Sequence, residues 1–259
     1  MANHTLQLLS TDFDGTIHED FADPPIPVAL QDRIRSFQAR GAVWAINTGR
    51  EMASLMETMG RAHITVMPDY LILVEREIFR HEHGRYLPVE PWNSQCTRDH
   101  QETFGEFAAE LESLVETLSS RFDATFYDDS FSPLCAIARN NDQMDAIQAE
   151  IETFVRTIPR LVAVRNDVYV RLSHVSYSKG TALAELGRLL GIAPAGIFAA
   201  GDHLNDLPML KREFATYLAA PSNALPAVKL QVAAHGGYLA KGKAGRGTLE
   251  ALDHFGFTS

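Results

Sequence analysis

Residues 6–16 read Leu6-Gln7-Leu8-Leu9-Ser10-Thr11-Asp12-Phe13-Asp14-Gly15-Thr16. Leu6, Leu8 and Leu9 form an apolar run of strand length that leads directly into Asp12 and Asp14. Gly15 then ends the strand. In extended chain the two aspartates point to one side, because side chains alternate with period two. Two carboxylates on one face repel, and a hard divalent cation such as Mg²⁺ is the simplest compensation. Taken alone, the stretch also fits an ordinary polar strand-to-loop turn, since Asp and Gly are common turn residues. The rest of the chain decides between these readings.

Strand-like and helix-like segments alternate on both sides of a central block. Leu30, Ile34 and Phe37 recur at helical spacing after Pro27, with Gly41 at the stop. Ala42 to Ile46 reads as a buried strand that runs into Asn47-Thr48-Gly49-Arg50. Met52, Leu55, Met56 and Met59 share one helix face, and Tyr70 to Val74 reads as a third strand. From Ser176 onward the pattern resumes. A helix opens at Lys179-Gly180 with Leu183, Leu186 and Leu190 as its stripe. A small strand, Ile197 to Ala200, ends in Gly201-Asp202, and Tyr217 to Ala220 reads as another. Leu249, Leu252 and Phe255 mark a final helix. Alternating strands and helices imply an α/β fold with a parallel sheet covered on both faces. Open sheets of this kind place their sites at the carboxyl ends of strands, where Asp12, Asp14, Thr48 and Asp202 all fall.

Residues 90–174 have a different texture. One long amphipathic helix is expected to carry Phe104, Phe107, Leu111, Leu114, Val115 and Leu118, and a second Met144, Ile147, Ile151, Phe154, Val155 and Ile158. Strand-like runs lie at Leu134–Ala138, 161–164 and 168–172, with a tight turn expected at Asn166-Asp167. The expected organisation is a Rossmann-like α/β core of residues 1–89 and 175–259, interrupted by an inserted α+β unit of residues 90–174.

Composition narrows the function classes. The chain has 259 residues and a net charge of −10, which argues against a nucleic-acid groove, since that needs a basic face. An anionic ligand would need a local positive site. Two cysteines, Cys96 and Cys135, imply no disulfide framework. No apolar run approaches membrane-spanning length. No basic region precedes a long apolar stretch at the N-terminus. A cytoplasmic protein without nucleic-acid or membrane partners, monomeric or homodimeric, is the expectation.

Four separated segments carry a resemblance. Asp12-Phe13-Asp14-Gly15-Thr16 resembles the first motif of haloacid-dehalogenase-superfamily phosphohydrolases, Thr48-Gly49-Arg50 the second and Lys179 the third. Gly201-Asp202-His203-Leu204-Asn205-Asp206 resembles the fourth. The insert between the second and third motifs resembles the C2-capped, type IIB branch of Cof-like sugar phosphatases. The resemblance implies a three-layer α/β/α core with a C2-type cap, Mg²⁺ as cofactor and a small phosphorylated metabolite as substrate. It implies Asp12 as nucleophile and Asp14 as acid and base, with the metal holding Asp12 ionised and Asp14 partly buried. Asp12, Asp14 (through its main-chain carbonyl), Asp202 and Asp206 would hold the metal. Thr48, Gly49, Arg50, Lys179 and Asn205 would hold the phosphate and substrate. The reaction class is phosphate-monoester hydrolysis. A phosphomannomutase-like phosphomutase and a phosphometabolite-binding protein without turnover are the alternatives.

Some features depart from the family or stand apart. Glu75-Arg76-Glu77 stands where Cof-like relatives carry Asn-Gly. Gly242 to Gly247 is glycine-rich but lacks a phosphate-loop context, and is expected to be a flexible connection. His81 and His83 are expected on a solvated hairpin, and Trp92 as packing at the junction.

Overall fold

A computed structural model describes residues 6–257. The chain opens with β1 (Leu8–Thr11), α1 (Val28–Ala39), β2 (Val43–Asn47), α2 (Met52–Arg61) and β3 (Tyr70–Leu73), followed by the hairpin strands β4 (Glu77–Glu82) and β5 (Arg85–Pro88). Then come α3 (Trp92–Glu106), α4 (Ala108–Arg121), β6 (Thr125–Tyr127), β7 (Cys135–Ile137), α5 (Asn141–Val155), β8 (Leu161–Asn166) and β9 (Tyr169–His174). The chain finishes with α6 (Lys179–Leu190), β10 (Ile197–Ala200), β11 (Tyr217–Ala220), α7 (Pro226–Ala234), β12 (Tyr238–Leu239) and α8 (Ala244–His254). Two compact units result: residues 1–89 with 178–259, and residues 90–177.

The first unit is built on a sheet of order β12-β11-β10-β1-β2-β3-β4-β5. β12 through β3 pair in parallel, while β4 and β5 add an antiparallel hairpin at one edge. The turn residues His83 and Gly84 both have positive φ, as a two-residue hairpin loop of this twist requires. Alternation along the strands sends Leu9, Trp44, Ile46, Leu71 and Phe198 into one apolar layer with Leu30, Ile34, Leu55 and Leu252 of the helices. The opposite face carries Asn47, whose Nδ2 donates to the carbonyl of Lys179 at the start of α6. β1 and β10 are neighbours in register, Thr11 opposite Ala200, so Asp12 and the Gly201-Asp202 loop leave the sheet side by side.

The second unit is an antiparallel sheet, β6-β7-β9-β8, with helices and its own core of Leu111, Leu118, Met144, Ile147, Ile151, Val170 and Leu172. The one long helix expected over residues 104–118 is two. α3 and α4 meet at Phe107, whose φ of −113° and ψ of 25° break the helical path. α3 buries Asn93, Cys96, His100 and Thr103, a polar stripe that hydrophobic periodicity does not register. The β8–β9 turn is Asp167-Val168, one residue later than expected, because Asn166 pairs with Tyr169. The unit ends at Tyr177 and not at residue 174. The Tyr177 ring packs on Trp92 and its hydroxyl donates to Asp99, whereas Ser178 caps α6. Trp92 is thus a packing residue at the start of the insert.

Gly242 to Gly247 is not a flexible connection. Ala244 to Gly247 form the first turn of α8, and Gly245 and Gly247 are buried there. A Cβ on Gly245 would lie 2.6 Å from Pro27 Cδ and 2.7 Å from the Ile17 carbonyl, so the glycine permits close approach of helix and loop.

Candidate active site

Asp12 follows the last residue of β1 and its N–H donates to the Ala200 carbonyl, which fixes the strand end against β10. Lys179 is the first residue of α6, after Ser178, whose side chain caps the helix in a reciprocal box with Thr181. The helix start aims a fully buried ammonium at two carboxylates. Lys179 Nζ donates to Asp12 Oδ1 at 2.7 Å and to Asp206 Oδ1 at 2.6 Å. A cation at a helix N-terminus opposes the helix dipole, and burial opposes its charge; the two paired carboxylates outweigh both. Burial lowers the Lys179 pKa, but Asp12 and Asp206 raise it further, so the group stays charged.

Asp206 is anchored through both oxygens. Its second oxygen accepts from the backbone N–H groups of Asp202 and His203, at 2.8 and 2.9 Å, which folds the 201–206 loop into a tight turn. Asp202 accepts from Thr16 Oγ1 at 2.8 Å, and Asn223 Nδ2 reaches both its other oxygen, at 3.3 Å, and the Gly15 carbonyl, at 2.7 Å. Gly15 has φ of +71°, and a Cβ there would lie 2.3 Å from Asp202 Oδ2. Only glycine lets the two loops meet this closely.

Carboxylate oxygens of Asp12, Asp202 and Asp206 lie within 4.8 Å of one another. Three carboxylates around one ammonium leave negative charge uncompensated. Its mark is proton affinity: burial, then Asp206, push Asp12 well above the usual carboxylate range and Asp202 to about 7. A donor set of hard oxygens with unbalanced negative charge fits Mg²⁺.

Asp14 is outside this group. Its carboxylate is gripped by Arg50, with Nε on Oδ2 at 2.6 Å and Nη2 on Oδ1 at 2.8 Å. The other arm of Arg50 donates to Ser54 and Thr58 on α2. His18, stacked on Phe13, stands 3.5 Å from Asp14 Oδ1. Burial raises the Asp14 pKa, but His18 and Arg50 together outweigh it and hold it at about 2. Among the chain's own groups, Asp14 is held low while burial and Asp206 raise Asp12; the expectation that a metal holds Asp12 ionised concerns the loaded site. His18 and the Arg50 fork hold Asp14 down, whereas sequence reading assigned Arg50 to phosphate.

Thr48 and Gly49 follow β2. The Thr48 N–H donates to the Ile72 carbonyl, and its Oγ1 accepts from the Arg50 N–H at 3.2 Å. Val74 and Glu75 both have positive φ. Their N–H groups donate to the Arg50 and Thr48 carbonyls, which pins this loop from the β3 side. Glu75 Oε1 accepts from Asn205 Nδ2 at 3.0 Å, and a Cβ on Gly49 would lie 3.1 Å from that oxygen. Asp12, Lys179, Asp202 and Asp206 are thus brought together, while Asn205, next in the chain to Asp206, bonds to Glu75 beside Gly49. Arg50 is joined to Asp14. Sequence reasoning gave no role to Thr16, His18, Glu75 or Asn223. Thr16 and His18 neighbour the first motif and Glu75 stood out as a departure from the family, whereas nothing local marks Asn223.

A family model described as sucrose-6F-phosphate phosphohydrolase matches residues 5–256. The chain belongs to that family. It is a haloacid-dehalogenase-like phosphatase, a phosphoric monoester hydrolase. The sucrose-phosphatase of Synechocystis sp. PCC6803, solved with sucrose and phosphate, superposes with a TM-score of 0.77 at 20% identity, over 98% of this chain and 100% of that one. The phosphatase BT1666 of Bacteroides thetaiotaomicron gives 0.64 at 20% identity, over 99% and 97% of the two chains. BT4131, a subclass IIB sugar phosphatase, gives 0.64 at 17% identity, over 97% and 100%. These likenesses show a shared fold. No helix among the described residues is long and apolar enough to cross a membrane.

Proposed function

We propose that this phosphatase hydrolyses a sugar phosphate, with sucrose 6F-phosphate the first candidate, through an aspartyl-phosphate on Asp12 and with Mg²⁺ as cofactor. The observation that carries this reading is the buried Asp12–Lys179–Asp206 chain beside Asp202, a nucleophile already paired with a fixed cation. Asp12 and Asp202, with Asp206 or the Asp14 carbonyl, would hold the metal. When bound, Mg²⁺ supplies neutralising charge for the phosphoryl group and keeps Asp12 ionised. The Asp12 carboxylate attacks phosphorus, and the bond to the sugar oxygen breaks. Asp14 gives that oxygen a proton, then takes one from the water that attacks phosphorus and releases Asp12. Because His18 and Arg50 hold Asp14 ionised, donation requires Arg50 to release the carboxylate and a solvent proton to load it before the sugar oxygen leaves. Lys179 keeps positive charge on the nucleophile side, and the Gly49 N–H and Thr48 hydroxyl are suited to the phosphoryl oxygens.

The test is phosphate release from a panel of sugar, polyol, nucleoside and cofactor phosphates with Mg²⁺, sucrose 6F-phosphate included. Turnover of sugar phosphates above the others, lost with EDTA and restored by Mg²⁺, is the expected result. Full activity after exhaustive chelation would overturn the metal assignment. Preference for nucleoside or cofactor phosphates would overturn the sugar assignment.

A further inference from the structure

Asn223 lies between β11 and α7, 208 positions from Gly15 and 21 from Asp202 in the chain, and its side chain joins both to a third segment. Nδ2 donates to the Gly15 carbonyl at 2.7 Å and to Asp202 Oδ2 at 3.3 Å, while Oδ1 accepts from the Ala244 N–H at 2.8 Å. A carbonyl and a carboxylate only accept and a backbone N–H only donates, so the amide has one orientation. Turned over, it would lose all three bonds. Satisfying the Ala244 N–H at the start of α8 needs only the oxygen. The nitrogen end, with its two bonds into the loops that carry the candidate site, is what that role leaves unexplained.

Asn223 is exposed, so burial of its own surface does little to hold it there. What it adds is a tie to α8. Ala244 has φ of +42°, a strained value for a residue with a side chain, which persists only where the surroundings fix it. One turn on, Thr248 Oγ1 donates to the Thr16 carbonyl at 2.6 Å. α8 therefore grips the Gly15-Thr16 turn at both carbonyls, once directly and once through Asn223. Asp202 is held at both oxygens as well, with Thr16 Oγ1 on Oδ1 at 2.8 Å and Asn223 on Oδ2. A carboxylate held in this way has the directions of its remaining lone pairs set in advance, which is what supporting contacts do for metal ligands.

We propose that Asn223 is a positioning residue that fixes Asp202 and the Gly15 turn to α8, so that Asp202 meets a divalent cation already oriented. Asn223 acts through Asp202. This rests on the metal-dependent phosphatase reading above.

The test is the dependence of Tm on Mg²⁺ concentration for the full chain without substrate, fitted for Kd, in the parent, Asn223→Ala and Asn223→Asp. Asn223→Ala raises the Kd about tenfold, the low end for lost supporting contacts at metal sites. Its turnover of an aryl phosphate, reduced at limiting Mg²⁺, recovers as Mg²⁺ is raised. A residue that only stabilised the fold would lower the metal-free Tm and leave the Kd in place. Asn223→Asp separates the two ends of the amide. It keeps an oxygen for Ala244 but turns the donor end into an acceptor facing Gly15 and Asp202, so its metal-free Tm falls below the parent's. If Asn223 served α8 alone, Asn223→Asp would match or exceed the parent, since a helix start favours an anion. A Kd within about threefold of the parent's in folded Asn223→Ala, or a metal-free Tm of Asn223→Asp at or above the parent's, would each overturn the proposal. A parent whose Tm ignores Mg²⁺ would overturn the metal reading itself, whereas a parent and an Asn223→Ala that respond alike would overturn only this proposal.

Discussion

At the scale of single residues, Asp12 and Asp14 differ by environment and not by type. Asp12 shares a buried ammonium with Asp206, while Asp14 has a guanidinium to itself. Asp12→Asn keeps the shape and a hydrogen-bonding oxygen but removes the attacking charge. Turnover should fall by more than about 10³-fold while the circular dichroism spectrum is retained. Activity within tenfold of the parent in pure protein would exclude Asp12 as nucleophile. Cys135 gives a second residue-scale expectation. Burial pushes its thiol up to about 11, and the Tyr169 hydroxyl donates to the sulfur. In a Cys96→Ser background, alkylation at pH 8 should be at least about 100-fold slower in the folded protein than in urea, because thiolate is the reacting form. The folded pKa is raised, so the native state holds its proton longer than the unfolded chain. The corresponding stability is present below the unfolded pKa and is lost as pH climbs through the folded one. Cys135→Ala should therefore flatten that alkaline loss in urea midpoints measured between pH 8 and 11.

At the scale of elements, the four motifs were legible because each ends a strand or starts a helix, and those boundaries carry local signals. Leu8-Leu9 before Asp12, Gly49 after β2 and Ser178 before Lys179 are such signals. What was not legible depends on partners far along the chain. The Arg50–Asp14 fork spans 36 positions and the Asn223–Asp202 contact 21, and neither follows from spacing. α3 escaped because its buried stripe is polar, and α4 was merged with it because Phe104 and Phe107 continue the apolar rhythm across the break. The glycines before α8 looked like slack and are contact points. Gly245→Ala tests this. Helix preference favours alanine by about 1 kcal/mol, but overlap with the Ile17 carbonyl and Pro27 should win, for a net loss of about 1–3 kcal/mol in urea unfolding. A stabilised variant would mean that the loop yields without cost.

At the scale of the whole molecule, the proposed reaction residues all come from the discontinuous first unit, and the insert has a separate apolar core. Replacing residues 90–177 with a short Gly/Ser linker should leave Mg²⁺-dependent hydrolysis of a small aryl phosphate detectable, and should cost hydrolysis of the preferred sugar phosphate far more. A truncated protein that folds and keeps the parent's ranking of sugar phosphates would remove the insert from substrate selection. The strand order described above has one further consequence, for behaviour in crowded solution. A sheet of eight strands has two free margins, and a long flat margin is a template on which other chains can polymerise. Here one margin is β12, only two residues long. The other is β5, which begins with exposed Arg85 and ends with Pro88, a residue with no N–H to offer. Neither margin offers a neighbouring strand much to grip, so the sheet stops growing where the chain stops building it.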